Sequence, residues 1–412
     1  MKLPMICTVP TPACVGCVRL VSVVALGALT LLRAQSPVIY SFAGSPDGAS
    51  PKRSVIVSGT SLYGVTPFGG SGDGTVYELT SSGGSWAESV LYSFAGGTSD
   101  GSEPDGNLLL SGGSLYGTTS VGGTSGYGTA FRLKNSSGAW TETVIHNFAG
   151  GTGDGSYPYA GLLLSGGVFY GTTYYGGTDG GGTVFSLAPS GLSWTETVLY
   201  SFGGSGDGAN PHSALTISGS GVLYGTTYNG GASGDGTLFS LTPSGGGSWT
   251  EAVLYSFGGS DGLNPHGGVA LGSGGVLYGT TLSGGGSGDG VAFSLTPPVS
   301  PSTTWTEATL RTFTGGTSDG AQLRAGVLIG SSGVLYGATV EGGSSNAGVI
   351  YSLTPPTPPS TTWTESILYN FTGSSGDGSQ PYADLVYSGG YLYGTTYAGG
   401  TSSDGTVFAL VP

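Results

Sequence analysis

A Tyr-Gly pair recurs seven times along this chain, at Tyr63, Tyr116, Tyr170, Tyr224, Tyr278, Tyr336 and Tyr393. The tyrosines are 53, 54, 54, 54, 58 and 57 residues apart. A period of that length restricts the chain to repeat architectures, in which each unit buries its apolar face against the next. The motif is fullest between Leu115 and Leu133, LYGTTSVGGTSGYGTAFRL.

One unit, residues 144–197, sets the local structure. VIHNF ends a strand, AGGTGDGSYPYA is rich in turn residues, and GLLLS is a strand. Gly166-Gly167 then turns the chain into VFYGTT, YYGGTDGG is a second turn, GTVFSL a third strand, and WTETVLYSF a fourth. Short β-branched and aromatic runs bounded by glycine clusters are strand signals. Beyond the N-terminus no stretch keeps a helical period. The expectation is an all-β fold: a seven-bladed β-propeller of four-stranded antiparallel blades, residues 36–412. A parallel β-helix is the competing architecture, but its rungs are usually shorter and need no Trp-bearing hairpin.

The ends of the array add a detail. Val38 to Phe42 reads as a fourth strand with no blade before it, and Gly405 to Leu410 as a third strand with nothing after it. Seven YSF-like and seven GTVF-like strands stand against six Trp-x-Glu leaders, at Trp86, Trp140, Trp194, Trp249, Trp305 and Trp363. The N-terminal strand is therefore expected to complete the last blade and close the ring.

With 85 glycines and 22 prolines, an aperiodic chain would be disordered; the strong period and 11% aromatic residues make a packed core feasible. Only 8% of residues are charged, and the net charge is -14. Removing residues 1–35 takes away Lys2, Arg19 and Arg33 and no acid, which leaves -17. Such a chain repels phosphate backbones, so nucleic acid is not an expected partner. Cys7, Cys14 and Cys17 all precede the repeats, so the repeats contain no disulfide and no thiolate metal site. Residues 1–35 read as a signal peptide: Lys2 and Arg19 lead, Leu20 to Leu32 is apolar, and Ala34 suits cleavage. The alternative is an uncleaved anchor, the one expected membrane contact. The protein is thus expected to be secreted or at the cell surface, extracellular or periplasmic.

The layout Leu-Tyr-Gly, Gly-Gly, third strand, Trp resembles the kelch propeller repeat with Gly-Gly slightly displaced. LYGTT at 223–227, Gly230-Gly231 and GDGTLFSL at 234–241 resemble more closely the GloVer tandem repeat of bacterial "choice-of-anchor" proteins. The resemblance covers about residues 36–412. It implies a secreted or surface repeat protein and brings no catalytic residues to transfer.

Positions repeated in every unit are read as structural. Asp-Gly follows the fourth strand at Asp47, Asp100, Asp154, Asp207, Asp261, Asp319 and Asp377. Its Asp is expected to accept backbone N–H bonds from two residues on. Calcium is the competing reading, but it takes six to eight oxygens and one Asp per loop supplies few. Glu88, Glu142, Glu196, Glu251, Glu307 and Glu365, in Trp-x-Glu, are expected to charge an outer strand against edge-to-edge pairing. The tyrosines of Leu-Tyr-Gly are expected to pack between blades. No cofactor or metal is expected.

Function is sought where blades differ. After Asp-Gly comes x-x-Pro, with Leu323 replacing Pro once, and the next residue is Lys52, Asp105, Tyr159, His212, His266, Arg324 or Tyr382. All are polar or aromatic. Leading to the innermost strand of each blade, these seven are expected to ring one mouth of the central channel and bind a ligand. A second variable set follows Thr-Thr: Pro67-Phe68, Ser120-Val121, Tyr174-Tyr175, Tyr228, Leu282, Val340-Glu341 and Tyr397. Its tyrosines suit either inter-blade packing or stacking on sugars. The reading is a non-catalytic module that binds a carbohydrate or a surface protein. The alternatives are a polysaccharide lyase or hydrolase at the channel mouth, which needs two carboxylates across a bond, and a purely structural module.

Overall fold

Apolar and small residues alternate within each unit, and each unit folds around a four-stranded antiparallel sheet, to which Gly101–Pro104 adds a fifth strand in blade two. The computed structural model describes residues 36–191 and 193–412. The expected signal peptide, residues 1–35, lies outside them. In blade three the strands are Leu163–Ser165, Val168–Thr173, Thr183–Ser190 and Ser193–Ser201, hydrogen-bonded in that order. Seven such sheets make an all-β, seven-bladed propeller. A β-bulge interrupts the pairing of the third and fourth strands at the same place in every sheet, between Val184 and Phe185 in blade three. It adds twist to the outer strand. Among the described residues no helix is long and apolar enough to cross a membrane.

The seventh sheet runs Val386–Ser388, Tyr391–Thr396, Thr406–Leu410, Val38–Ser41. Tyr40 lies opposite Val407 and Ser41 opposite Thr406, so the first strand of the array is the outer strand of the last sheet.

The core is divided among the seams between blades. Ala130, Ile145 and Phe148 of blade two pack with Leu162, Phe169, Phe185 and Leu187 of blade three. Phe42 and Val407 of blade seven pack in the same way with Val55, Leu62, Tyr77 and Leu79 of blade one. The tyrosines of Leu-Tyr-Gly enter these seams: the Tyr116 ring lies 4.6 Å from Phe169 and 6.3 Å from Trp194 of the next blade. The glycine after it makes room within the blade, since a Cβ on Gly171 would stand 2.5 Å from Cζ of Phe185.

The Trp-x-Glu acids depart from expectation. They are not solvent-facing guards of an edge. Each is half-buried, and Oε1 of Glu88, Glu142, Glu196, Glu251 and Glu365 is buried without a hydrogen-bond partner. Burial first, and then the Asp that follows the preceding blade's outer strand, raises the carboxyl of Glu142 from 4.5 to about 7. Glu88, Glu196 and Glu251 are raised in the same way to about 7. The native state therefore holds a proton that the unfolded chain releases above about pH 4.5. The contribution is fully present below that value and is lost as pH rises through about 7. Glu142→Gln should gain about 1 kcal/mol over the parent near pH 8, a figure discounted for solvent screening, and nothing near pH 4.5. Urea unfolding at the two pH values checks this; an equal gain at both would remove the seam carboxyl from the account.

Candidate ligand site at one mouth of the ring

Each ring residue is held by contacts that the repeat supplies. The Asp of Asp-Gly fixes the turn, though not by bonding two residues ahead. Asp100 accepts from N–H of Gly101 at 2.7 Å, from N–H of Ala95 at 2.8 Å and from the Tyr92 hydroxyl at 2.9 Å. At the end of blade five, Arg311 replaces the tyrosine and donates to Asp319 at 2.8 Å. These bonds use the carboxylate oxygens that a calcium ion would need. The described residues contain no group of three or more His, Cys, Asp or Glu placed to hold a metal ion.

The next two residues pair with the stretch after Thr-Thr; in blade three Gly155 and Ser156 lie opposite Gly176 and Tyr175. The residue before Pro, or before Leu323 in blade six, then adopts a left-handed backbone in all seven blades: φ is 56° at Ser50, 53° at Glu103, 58° at Tyr157, 61° at Asn210, 56° at Asn264, and 59° at Gln322 and Gln380. A left-handed residue with a side chain costs roughly 1–2 kcal/mol. What holds it is the neighbouring blade. Its N–H donates to a carbonyl in the preceding blade's second turn, Tyr157 to Tyr127 at 2.9 Å and Gln322 to Asp289 at 3.0 Å. The proline seats on that blade's glycine: a Cβ on Gly182 would lie 2.8 Å from Cδ of Pro211. The first Thr of Thr-Thr completes the clamp, Thr172 donating to the carbonyl of Ser213 at 3.0 Å and Thr395 to that of Arg53 at 3.0 Å.

The clamp brings Lys52, Asp105, Tyr159, His212, His266, Arg324 and Tyr382 to the wall of one cavity of about 320 Å³. They touch in blade order. Tyr159 stacks on His212, with ring centres 5.0 Å apart and planes at 15°. His212 lies 3.9 Å from His266. Nδ1 of His266 donates to the carbonyl of Arg324 at 3.0 Å, which leaves Nε2 to face Nη1 of Arg324 at 3.5 Å. The Arg324 guanidinium lies over Tyr382 at 5.0 Å. Farther round the rim, Lys52 of blade one stands 3.7 Å from Asp105 of blade two.

Burial sets the charge states. It drives His212 well below the usual histidine range, helped by His266 and the nearby cations. Burial, Arg53 and Arg324 take His266 down to about 3. Tyr159 is pushed up to about 12 by burial and then by Asp105. At neutral pH the two imidazoles and the phenol are thus uncharged.

Sequence reasoning missed Arg53. It lines the same cavity, pairs with Asp105 at 3.4 Å and also bonds that residue's carbonyl. A signal was there. The position after the ring residue is Gly106, Ala160, Ser213, Gly267, Ala325 or Ala383 elsewhere, all small, and Arg53 is the exception.

The second variable set divides. Tyr397 lines the cavity beside Tyr382, with ring centres 5.2 Å apart. Tyr174, Tyr175 and Tyr228 border an adjoining, more open cavity of about 300 Å³ with Tyr159, His212, His266 and Arg324. Tyr175 is 48% exposed. Leu282 and Val340 are buried and serve packing.

A family model described as the Gloeobacter/Verrucomicrobia repeat matches residues 26–220, 141–325 and 271–412. No curated protein matches the chain. Among solved structures, a putative 6-phosphogluconolactonase from Bacteroides uniformis is 15% identical, with 83% of this chain and 89% of that one aligned at a TM-score of 0.51. A sialidase from Trypanosoma rangeli, in complex with sialic acid, is 14% identical over 90% of this chain and 58% of its own, at a TM-score of 0.44. A putative oxidoreductase (glucose dehydrogenase) from Thermus thermophilus is 17% identical over 76% and 94%, at 0.43. At these identities the likeness is one of fold.

Proposed function

The chain belongs to the Gloeobacter/Verrucomicrobia repeat family, and on that premise we propose that it is a secreted or cell-surface binding protein, not an enzyme, holding a carbohydrate at the ring mouth. One observation carries the reading: the seven positions that differ between blades meet as the wall of one cavity. The repeated acids are instead engaged in turns and seams. Tyr159 and Tyr382 offer apolar faces with polar tips, the chemistry that suits sugars.

Catalysis fits the cavity less well. A glycosidase needs a second carboxylate across the bond. Asp105 is engaged by Lys52 and Arg53, and Asp384, deeper in the channel, accepts from N–H of Gly326 at 2.7 Å. An imidazole held near 3, as in His266, is a weak base. The test is a panel of polysaccharides offered to the full chain. Retention without new reducing ends or unsaturated products is expected, and Tyr159→Ala should weaken it about tenfold. Release of either product would make the protein an enzyme. Retention of surface proteins, and of no polysaccharide, would replace the carbohydrate by a protein ligand.

A further inference from the structure

Among the described residues, three of the six cations meet at the mouth. Beyond residue 35 the cations are Lys52, Arg53, Arg132, Lys134, Arg311 and Arg324. Lys52, Arg53 and Arg324 all line the cavity, in a stretch whose net charge is -17 once the three cations of residues 1–35 are set aside. Asp105 is the carboxylate on that wall, and it is shared by Lys52 and Arg53. Among the described residues no carboxylate lies within ion-pair distance of Arg324. Its Nε is buried and has no hydrogen-bond partner, as is Nδ1 of His212. A partly buried guanidinium with neither counter-ion nor full hydrogen bonding is costly unless something completes it.

On the reading that the mouth binds carbohydrate, we propose that the ligand is a carboxylate-bearing oligosaccharide. Its carboxylate sits on Arg324 beside Lys52 and Arg53. Its sugar rings run outward over the tyrosines of blades three and four. The planar fork of a guanidinium matches a carboxylate, and the neutral imidazoles add no competing charge. The direction follows from the adjoining, more open cavity, which Arg324 lines as well. Tyr174, Tyr175 and Tyr228 border the adjoining cavity. The matching stretches of blades two, five and six carry Ser120-Val121, Leu282 and Val340-Glu341, which offer no ring. Phe68 of blade one and Tyr397 of blade seven also carry rings, but they do not line the adjoining cavity, so a chain held by its acid on Arg324 and leaving through that cavity runs over Tyr174, Tyr175 and Tyr228.

The experiment is calorimetric titration of the full-length chain with three probes. These are a hexuronate trisaccharide, the same trisaccharide with its carboxyls reduced to alcohols, and a peptide with a free C-terminal carboxylate. The hexuronate should bind at least about tenfold more tightly than its reduced form. Raising salt from about 50 to 500 mM should narrow that gap in the parent, an arm that needs no variant. Arg324→Gln should bring the ratio near one by weakening the hexuronate about tenfold more than the reduced sugar. Tyr175→Ala should weaken both sugars by the same factor. Equal binding of the two sugars, untouched by salt and by Arg324→Gln, overturns the charge assignment and leaves the carbohydrate reading standing. Binding of the peptide alone, or of no probe, overturns both.

Discussion

Deleting Ser36 to Ala43 is expected to remove more than about 5 kcal/mol of stability, as much as many domains possess. The segment holds the outer strand of the seventh sheet, with Tyr40 opposite Val407. Phe42 is fully buried in the seam with blade one, and Ile39 and Tyr40 pack against the same cluster. Losing one buried phenylalanine costs about 3–5 kcal/mol. The deletion also takes away the Tyr40 bond to Asp47 at 2.9 Å and leaves Thr406–Leu410 as an open edge. Phe42→Ala alone should show roughly half of the effect, which keeps the test readable if the deletion does not fold. Thermal melting by circular dichroism is the measurement. A deleted chain that melts like the parent would mean that the ring does not depend on its first strand.

Gly182→Ala is the second large effect, expected at about 3 kcal/mol. Gly182 has φ of 100°, and a Cβ there would collide with the carbonyl of Thr173 and lie 2.8 Å from Cδ of Pro211. Backbone strain contributes about 1–3 kcal/mol and overpacking a similar amount. Gly180→Ala is the control: its φ is 78°, and nothing lies within 4 Å of the added carbon. It should cost only about 1 kcal/mol. The position also bears on function. Pro211 precedes His212, so pushing it away shifts the ring at its most crowded stack. Gly182→Ala should therefore weaken ligand binding as well as stability, and Gly180→Ala should not. Equal melting temperatures for the two variants would contradict the clamp.

The fold was legible because one unit is written seven times, so every strand could be read against its copies. The ring residues were legible for the opposite reason. Lys52, Asp105, Tyr159, His212, His266, Arg324 and Tyr382 differ inside a fixed frame, and the frame brings them to one wall. Three things were not legible. The left-handed residue before Pro ranges from Ser50 to Gln380 in type, because its conformation is imposed by a bond to the neighbouring blade rather than by its own side chain. The burial of the Trp-x-Glu acids depends on how blades lean on one another, which alternation along one strand does not encode. Arg53 was hidden by its place one residue beyond the variable position, although six small residues at its equivalents mark it.

The most direct measurement takes the tightest ligand of the polysaccharide panel and titrates it into Tyr159→Ala, His212→Ala, His266→Ala and Arg324→Ala. Glu196→Gln, a repeated seam position, is the control, and each variant's melting temperature is recorded alongside. Discrimination among ligands must come from positions where the blades differ. At least two of the four ring variants should therefore bind about tenfold more weakly or worse, at unchanged melting temperature, while the control binds as the parent does. Four ring variants that bind normally, with a control that does not, would contradict the account and move the binding surface to the outer seams.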